Sequence, residues 1–257
     1  MKRVVLIAGL MGTSLLSTSM ACGTAMAAPA YIEKAVADPA RPADDTKRDA
    51  QRLPAQLTEF AGIKPGMTVV DMLPGTGYFT RIFAKAVGPK GQVYAYIGSQ
   101  SDAQLKAKGQ DPDNQLAALK AAYANVGVIH GPLDHFVTPT KVDVVWTSDN
   151  LHDMHDKFFG GLDIAATNKA IYASLKPGGT YIVIDHRAAK GAGLAAAEAL
   201  HRMDEDIAKQ EAEAAGFKLV SESKILTRPD DDNTKKIFEQ GEHDHTDQMV
   251  LKFRKPG

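Results

Sequence analysis

From residue 67 to 254 the chain alternates short apolar runs with stretches whose apolar residues recur every three or four positions. The run 67–73 is rich in Val and Met around one acid, Asp71, and predicts a strand buried on both faces. Phe79, Ile82, Phe83 and Ala86 follow at i, i+3, i+4 and i+7, the stripe of a helix laid on a sheet. Gly88 and Pro89 end that helix. Runs at 93–97, 126–130, 142–147 and 180–185 predict four more strands. An Ala/Leu helix over 114–125, a helical stretch ending near 175 and a turn at 176–179 separate them. Leu200, Met203, Ile207 and Ala214 predict one face of a further helix closed by Gly216, and 217–226 and 247–254 two last strands. Such alternation implies a parallel sheet with helices on both faces. The last two strands have no helix between them and are expected to pair antiparallel. The expected fold is therefore α/β: a doubly wound, seven-stranded, mostly parallel sheet with a C-terminal antiparallel hairpin, in one domain over 66–257. Upstream, 28–65 is polar and punctuated by Pro29, Pro39, Pro42 and Pro54, and is expected to form short helices at 31–37 and 46–61.

The first thirty residues break this pattern. Lys2 and Arg3 precede an apolar, small-residue run, and no charge returns until Glu33. Ala25-Met26-Ala27 offers the small-x-small pattern of a signal-peptidase site. Residues 1–27 are expected to be a cleaved signal peptide and the mature chain periplasmic or secreted. Gly9, Gly12 and several Ser and Thr make the run a weak stop-transfer segment, so no stable membrane span is expected after cleavage. A lipoprotein anchored through Cys22 is the weaker alternative, because Ser19 stands where such motifs usually carry Leu. Composition adds exclusions. Thirty basic residues against 31 acidic give no global reason to expect nucleic-acid binding. Cys22 is the one cysteine and would leave with the leader, so neither an intrachain disulfide nor a Cys-rich zinc site can form.

Chemistry concentrates behind the predicted strands. Asp71, Pro74, Gly75, Thr76, Gly77 and Tyr78 sit between the first strand and its helix, where glycines let the backbone approach a ligand and the helix N-terminus offers free N–H groups. A tight turn without a ligand would use the same residues. Asp149, Asn150, His152, Asp153 and His155 follow the fourth strand; Asp185 and His186 end the fifth. Histidine titrates in the range useful for proton transfer, so His152 is expected as a general base oriented by Asp153 or Asp149, with His186 nearby. Two alternatives stand: Asp149 and Asn150 cap the following helix and leave His152 on its surface, or His152, His155 and His186 hold a metal. The spacing matches no strong metal signature, and none is assigned. Asp230 to Asp232 and His243 to His245 read as a solvated loop, and His201, Arg202 and Asp204 as a substrate lid or a surface ion pair.

The segment 69–80 resembles motif I of class I S-adenosylmethionine-dependent methyltransferases. Leu175 to Tyr181 resembles the segment before their fifth strand, and the terminal hairpin matches their seven-stranded Rossmann-like sheet. Residues 144–156, with His201, Arg202, Asp204, Thr246, Asp247 and Gln248, resemble an exported bacterial subfamily of predicted methyltransferases. The resemblance implies S-adenosylmethionine as cofactor and methyl transfer to a small-molecule or exported acceptor. It also implies Asp71, Gly75, Thr76, Gly77 and Tyr78 around the methionine part, Gly131 and Asp134 by the adenine, and Asp149 and Asn150 at the reaction centre. Two positions depart from the pattern. Leu73 replaces the first glycine of the motif, and Ile97 stands where an acid usually accepts both ribose hydroxyls; Ser99, Gln100 or Asp102 are the candidates to replace it. The competing function is an exported protein of this fold that has lost the methyl donor and binds a ligand or a metal.

Overall fold

The structure, a computed structural model, describes Met1, 27–239 and 243–257. The expected leader and Cys22 fall on residues outside those described, apart from its two end residues. No helix among the described residues is long and apolar enough to cross a membrane.

Four short helices lead in: α1 (Ala30–Val36), α2 (Ala43–Thr46), α3 (Asp49–Arg52) and α4 (Pro54–Ala61). The single helix expected over 46–61 is broken. Leu53 takes the left-handed conformation at φ 46°. A residue before proline is disfavoured in the right-handed helical region, and Pro54 lacks the N–H needed to continue a helix but suits the first position of a new one.

The αβ alternation then runs β1 (Thr68–Met72), α5 (Tyr78–Val87), β2 (Gln92–Gly98), α6 (Asp102–Ala107), α7 (Pro112–Ala122), β3 (Val126–Gly131), β4 (Val142–Ser148), α8 (Leu151–Met154), α9 (Ile164–Ser174) and β5 (Leu175–His186). After it come α10 (Ala195–Leu200), α11 (Glu205–Ala214), β6 (Lys218–Ser223) and β7 (Gln248–Arg254). The seven strands form one sheet in the order β3-β2-β1-β4-β5-β7-β6. β1 to β5 are parallel, and β7 inserts antiparallel between β5 and β6. The expected terminal pair is thus present, but its second strand is the inner one.

Because side chains alternate across a sheet, β1, β4 and β5 feed two cores. Val69, Val144, Trp146, Ile182 and Ile184 face α5, α1 and α4. Val70, Met72, Val145, Tyr181 and Val183 face α9 and α11. Trp146 is fully buried, with Phe79 and Phe83 at 4.6 and 5.1 Å between ring centroids. Burying each such side chain contributes roughly 1.5–3 kcal/mol. Burial on both faces is why these strands read as continuous apolar runs.

The expected helix through Leu200, Met203 and Ala214 is two helices with a sharp break. His201 is left-handed at φ 52°. Arg202 is fully buried; its guanidinium pairs with Asp231 at 2.9 Å and donates to the carbonyls of Lys235 and Arg187. Met203 bridges Arg187 in strand-like fashion. Arg202 is therefore neither a surface ion pair nor part of a lid. Its buried partner also corrects the reading of the 224–247 loop: Asp230 and Asp232 are exposed, but Asp231 is buried and accepts the Asp247 N–H at 2.7 Å. Asp244 of the same loop pairs with Arg48 at 2.6 Å.

Candidate active site

Strand order reverses between β1 and β4, and open α/β sheets bind ligands beyond the carboxyl ends of the strands at that point. The backbone there is strained. Leu73 (φ 57°) and Asp149 (φ 60°) are left-handed non-glycine residues, and Gly75 and Gly77 have φ of 55° and 88°. The Asn150 amide ties the two strand ends together, donating to the carbonyls of Leu73 at 3.2 Å and Ser148 at 2.6 Å. Asp149 is clamped between Arg52 at 2.9 Å and the Gln248 amide at 2.8 Å.

Two joined compartments open over this junction, sharing Leu73, Pro74, Gly75 and Asn150. The first, about 170 Å³, is charged: Arg48 and Arg52 from the N-terminal helices, Asp71, Thr76, Tyr78 and Asp149 line it. The Arg52 guanidinium lies 4.7 Å from the Tyr78 ring centroid, and Tyr78 donates its hydroxyl to Asp49. Burial and the Asp49 carboxylate hold the Tyr78 phenol well above its ordinary range, so it stays a neutral donor. The second compartment, about 230 Å³, is mostly apolar, with Ile97, Leu105, Leu116, Phe158 and Phe159 around Gln110 and Asp153.

Asp71 is fully buried at the floor of the first compartment. The Thr80 hydroxyl donates to it at 2.6 Å, yet burial outweighs that bond and nearby Arg52 and pushes its pKa up to about 7. The unfolded chain would lose this proton near pH 3.8 and the folded chain near 7. Between these values the folded state holds more protons, so stability falls as pH rises. The contribution is complete below pH 3.8 and gone above about 7, at most ~4 kcal/mol in all. Asp71→Asn is expected to flatten that fall in urea-unfolding free energies measured across the window; an unchanged slope would refute the assignment.

The histidines gather only in part: His186 lies beside His152 as expected, but His155 does not join them. His152 is buried, not on a helix surface. Its backbone N–H donates to Asp185 at 2.7 Å, its Nδ1 meets the other Asp185 oxygen at 2.6 Å, and its Nε2 lies 3.2 Å from Asp153. Burial opposes the charge on this ring, but Asp185 and Asp153 outweigh it and push its pKa up to about 10. A ring already protonated and held on both sides is a poor general base; of the two acids expected to orient it, Asp153 meets its Nε2, while its Nδ1 is held by Asp185 and not by Asp149. The combination His152, His155 and His186 is not assembled: His155 bonds Glu211 at 3.1 Å, and His186 bonds Thr246. His186 is fully buried beside His152, with ring centroids 5.6 Å apart.

Other expected residues divide. Asp71, Gly75, Thr76, Tyr78, Asp149, Asn150 and Asp153 line the compartments. Gly77 instead caps α5 at its N-terminus, where an added Cβ would stand 2.9 Å from Leu119. Gly131 and Asp134 line neither compartment. An added Cβ at Gly131 would stand 2.9 Å from the Tyr96 hydroxyl, and Asp134 accepts from Gln100 at 3.2 Å. Gln100 and Asp102 are likewise engaged, Asp102 with His130 at 2.8 Å. Gln110 reaches the apolar compartment, beside Asn150 and Asp153. Sequence reading missed Arg48, Arg52, Phe158 and Phe159; the i, i+4 arginine pair was a visible signal, but its destination was not.

A doubly wound sheet with a charged and an apolar compartment at its switch point is the arrangement in which open α/β sheets bind ligands. Residues 30–131 match the protein-L-isoaspartate(D-aspartate) O-methyltransferase family. The chain is 30% identical over 202 residues to the ubiquinone/menaquinone biosynthesis C-methyltransferase UbiE of Hydrogenovibrio crunogenus, covering 75% of this chain and 72% of that one. It is 28% identical over 210 residues to UbiE of Shewanella oneidensis, covering 76% of each. Among solved structures, a SAM-dependent methyltransferase from Aquifex aeolicus superposes with a TM-score of 0.53 at 19% identity, covering 83% of this chain and 98% of that one. Burkholderia thailandensis 1,6-didemethyltoxoflavin-N1-methyltransferase, solved with 1,6-didemethyltoxoflavin and S-adenosylhomocysteine, superposes with a TM-score of 0.54 at 18% identity, covering 82% and 80%. The chain belongs to the class I S-adenosylmethionine-dependent methyltransferases. It is an S-adenosylmethionine-dependent methyltransferase, and S-adenosylmethionine is its cofactor.

The residues present fit that cofactor. The apolar compartment with Phe158 and Phe159 suits a purine, and the charged one offers Arg52 and Arg48 for a carboxylate and Asp71 for cations. An added Cβ at Gly75 would find no atom within 4 Å, so the loop leaves its space to a ligand. The exception is Ile97, buried at the position where the resemblance leads one to expect an acid for the ribose hydroxyls. Ile97→Asp is expected to tighten S-adenosylmethionine binding ~10-fold through charge-assisted bonds. The same change should lower the stability of the ligand-free protein by ~1–3 kcal/mol, because the acid is then buried without partners. Calorimetric titration beside thermal unfolding reads both, and an affinity no better than wild type would refute the ribose placement.

Proposed function

We propose that this enzyme methylates a small-molecule acceptor and does so outside the cytoplasm, in the periplasm or after secretion, once residues 1–27 are removed. The observation that carries the acceptor reading is the size of the paired cleft at the β1–β4 switch point: compartments of about 170 and 230 Å³ must also hold the cofactor, which leaves room for a small acceptor only. UbiE relatives, named for C-methylation in quinone biosynthesis, support a small-molecule acceptor as well. S-adenosylmethionine supplies an electrophilic methyl group on a sulfonium. The chain supplies binding and orientation: Asn150 fixes the loop against β4, Arg52 fixes Asp149 at the cleft wall, and Asp71 closes the floor of the charged compartment. In-line positioning of this kind is the main means by which such transfers are accelerated.

The acceptor is tested by incubating the protein with methyl-labelled S-adenosylmethionine and a cell extract separated by mass. Label in low-mass products is expected; label found in protein alone would overturn the reading. For location, the protein recovered from the periplasm or medium is expected to begin at Ala28. Intact chain confined to the cytoplasm would overturn export.

A further inference from the structure

We propose that His152, Asp153 and His201 form a binding site for one divalent transition-metal ion of the zinc type, at the edge of the apolar compartment. Each residue offers one ligating atom, and the three atoms lie within 4.8 Å of one another. The Asp153 carboxylate is the centre of the group, 3.2 Å from His152 Nε2 and 3.5 Å from His201 Nδ1. Tetrahedral ligands at ~2.0–2.1 Å from zinc stand roughly 3.3 Å apart, so little movement closes this set.

Three features make the cluster a built site and not a chance meeting of polar groups. First, Asp185 takes the other nitrogen of His152: its Oδ1 lies 2.6 Å from Nδ1. A metal-bound histidine characteristically donates its second N–H to a carboxylate, which fixes the ring and leaves Nε2 as the ligand once the incoming ion has displaced its proton. Asp185 does so from the fully buried end of β5. Second, His201 reaches Asp153 from the break between α10 and α11, in a left-handed conformation at φ 52° that few side chains adopt. Arg202, fully buried and bonded to two carbonyls and Asp231, holds that break open, and the Phe238 ring packs against the His201 imidazole at 5.1 Å. Third, Asp153 itself lines the apolar compartment, so the group stands at the edge of the cleft. Two imidazoles and a carboxylate suit zinc or iron(II) better than magnesium or calcium.

The site is independent of the methyl-transfer reading and is tested without it. Untagged full-length protein, stripped with a chelator, is titrated calorimetrically with Zn²⁺; Co²⁺ serves as a visible-absorbing substitute. One ion per chain is expected, with cobalt bands of a low-coordinate nitrogen and oxygen site. His201→Gly should weaken zinc binding at least ~100-fold and abolish those bands. Glycine accepts the positive φ without strain, so its circular dichroism and unfolding curve should match wild type. His201→Asn, which also tolerates that φ, should behave likewise. Absence of stoichiometric binding, or binding undiminished in both variants, would overturn the site.

Discussion

Gly75→Asn is expected to weaken S-adenosylmethionine binding ~100-fold while leaving the fold intact, a loss of ~2.7 kcal/mol. Gly75 lines both compartments, so a side chain there enters the space the cofactor must fill. Its φ of 55° would strain most residues, but asparagine tolerates the left-handed region, and an added Cβ meets no atom within 4 Å. Affinity and stability should therefore separate at this position. Gly77 makes the contrast. Its φ is 88°, and an added Cβ would press on Leu119, so Gly77→Asp should disturb the start of α5 and cost stability as well as binding. Calorimetric titration with S-adenosylmethionine and S-adenosylhomocysteine, beside thermal unfolding of each variant, separates the two. A Gly75→Asn protein that binds within threefold of wild type would show that the cofactor does not cross this loop.

Why these two glycines differ was not legible in the sequence, where they stand as equals in one motif. What could be read was whatever depends on local pattern. β1, β4 and β5 are buried on both faces and so announce themselves as apolar runs, and the stripe of α5 follows from its period. Asp71 and Thr76 were placed at the cleft by the loop after the first strand, Asp149 by the convergence of parallel strand ends, and Asn150 by the resemblance. The Leu53 break also had a local cause in Pro54, though the helix pattern concealed it. By contrast, the split at His201 exists because Arg202 is buried against Asp231 and Lys235, some thirty positions along the chain, and no window of sequence contains that pairing. Arg48 and Arg52 reach the cleft because the N-terminal helices fold back over the sheet, Arg52 onto Asp149. Gly131 resembles a cofactor contact by position, yet its smallness serves the packing of Tyr96. Asp185 was read as one acid among several, when it is the acid that holds His152.

Asp185→Ala is accordingly expected to cause the largest loss of stability of any single change at the site, ~3–5 kcal/mol. For a domain of this size that is a fall of ~10 °C in Tm. The carboxylate is fully buried and accepts three bonds: from the His152 backbone N–H, from His152 Nδ1 and from the His186 N–H at 2.7 Å. Removing it leaves two backbone donors and a buried imidazolium without their acceptor, and unpaired buried donors cost more than the bonds themselves contribute. Asp185→Asn should fall between, since one oxygen still accepts but the charge is gone. The decisive comparison is a double-mutant cycle with His152→Ala. If Asp185 acts mainly through His152, the double variant should lose ~1–3 kcal/mol less than the sum of the single losses. Additive losses would mean that Asp185 serves the backbone of α8 and β5 alone, and that the imidazole beside Asp153 is held by other means.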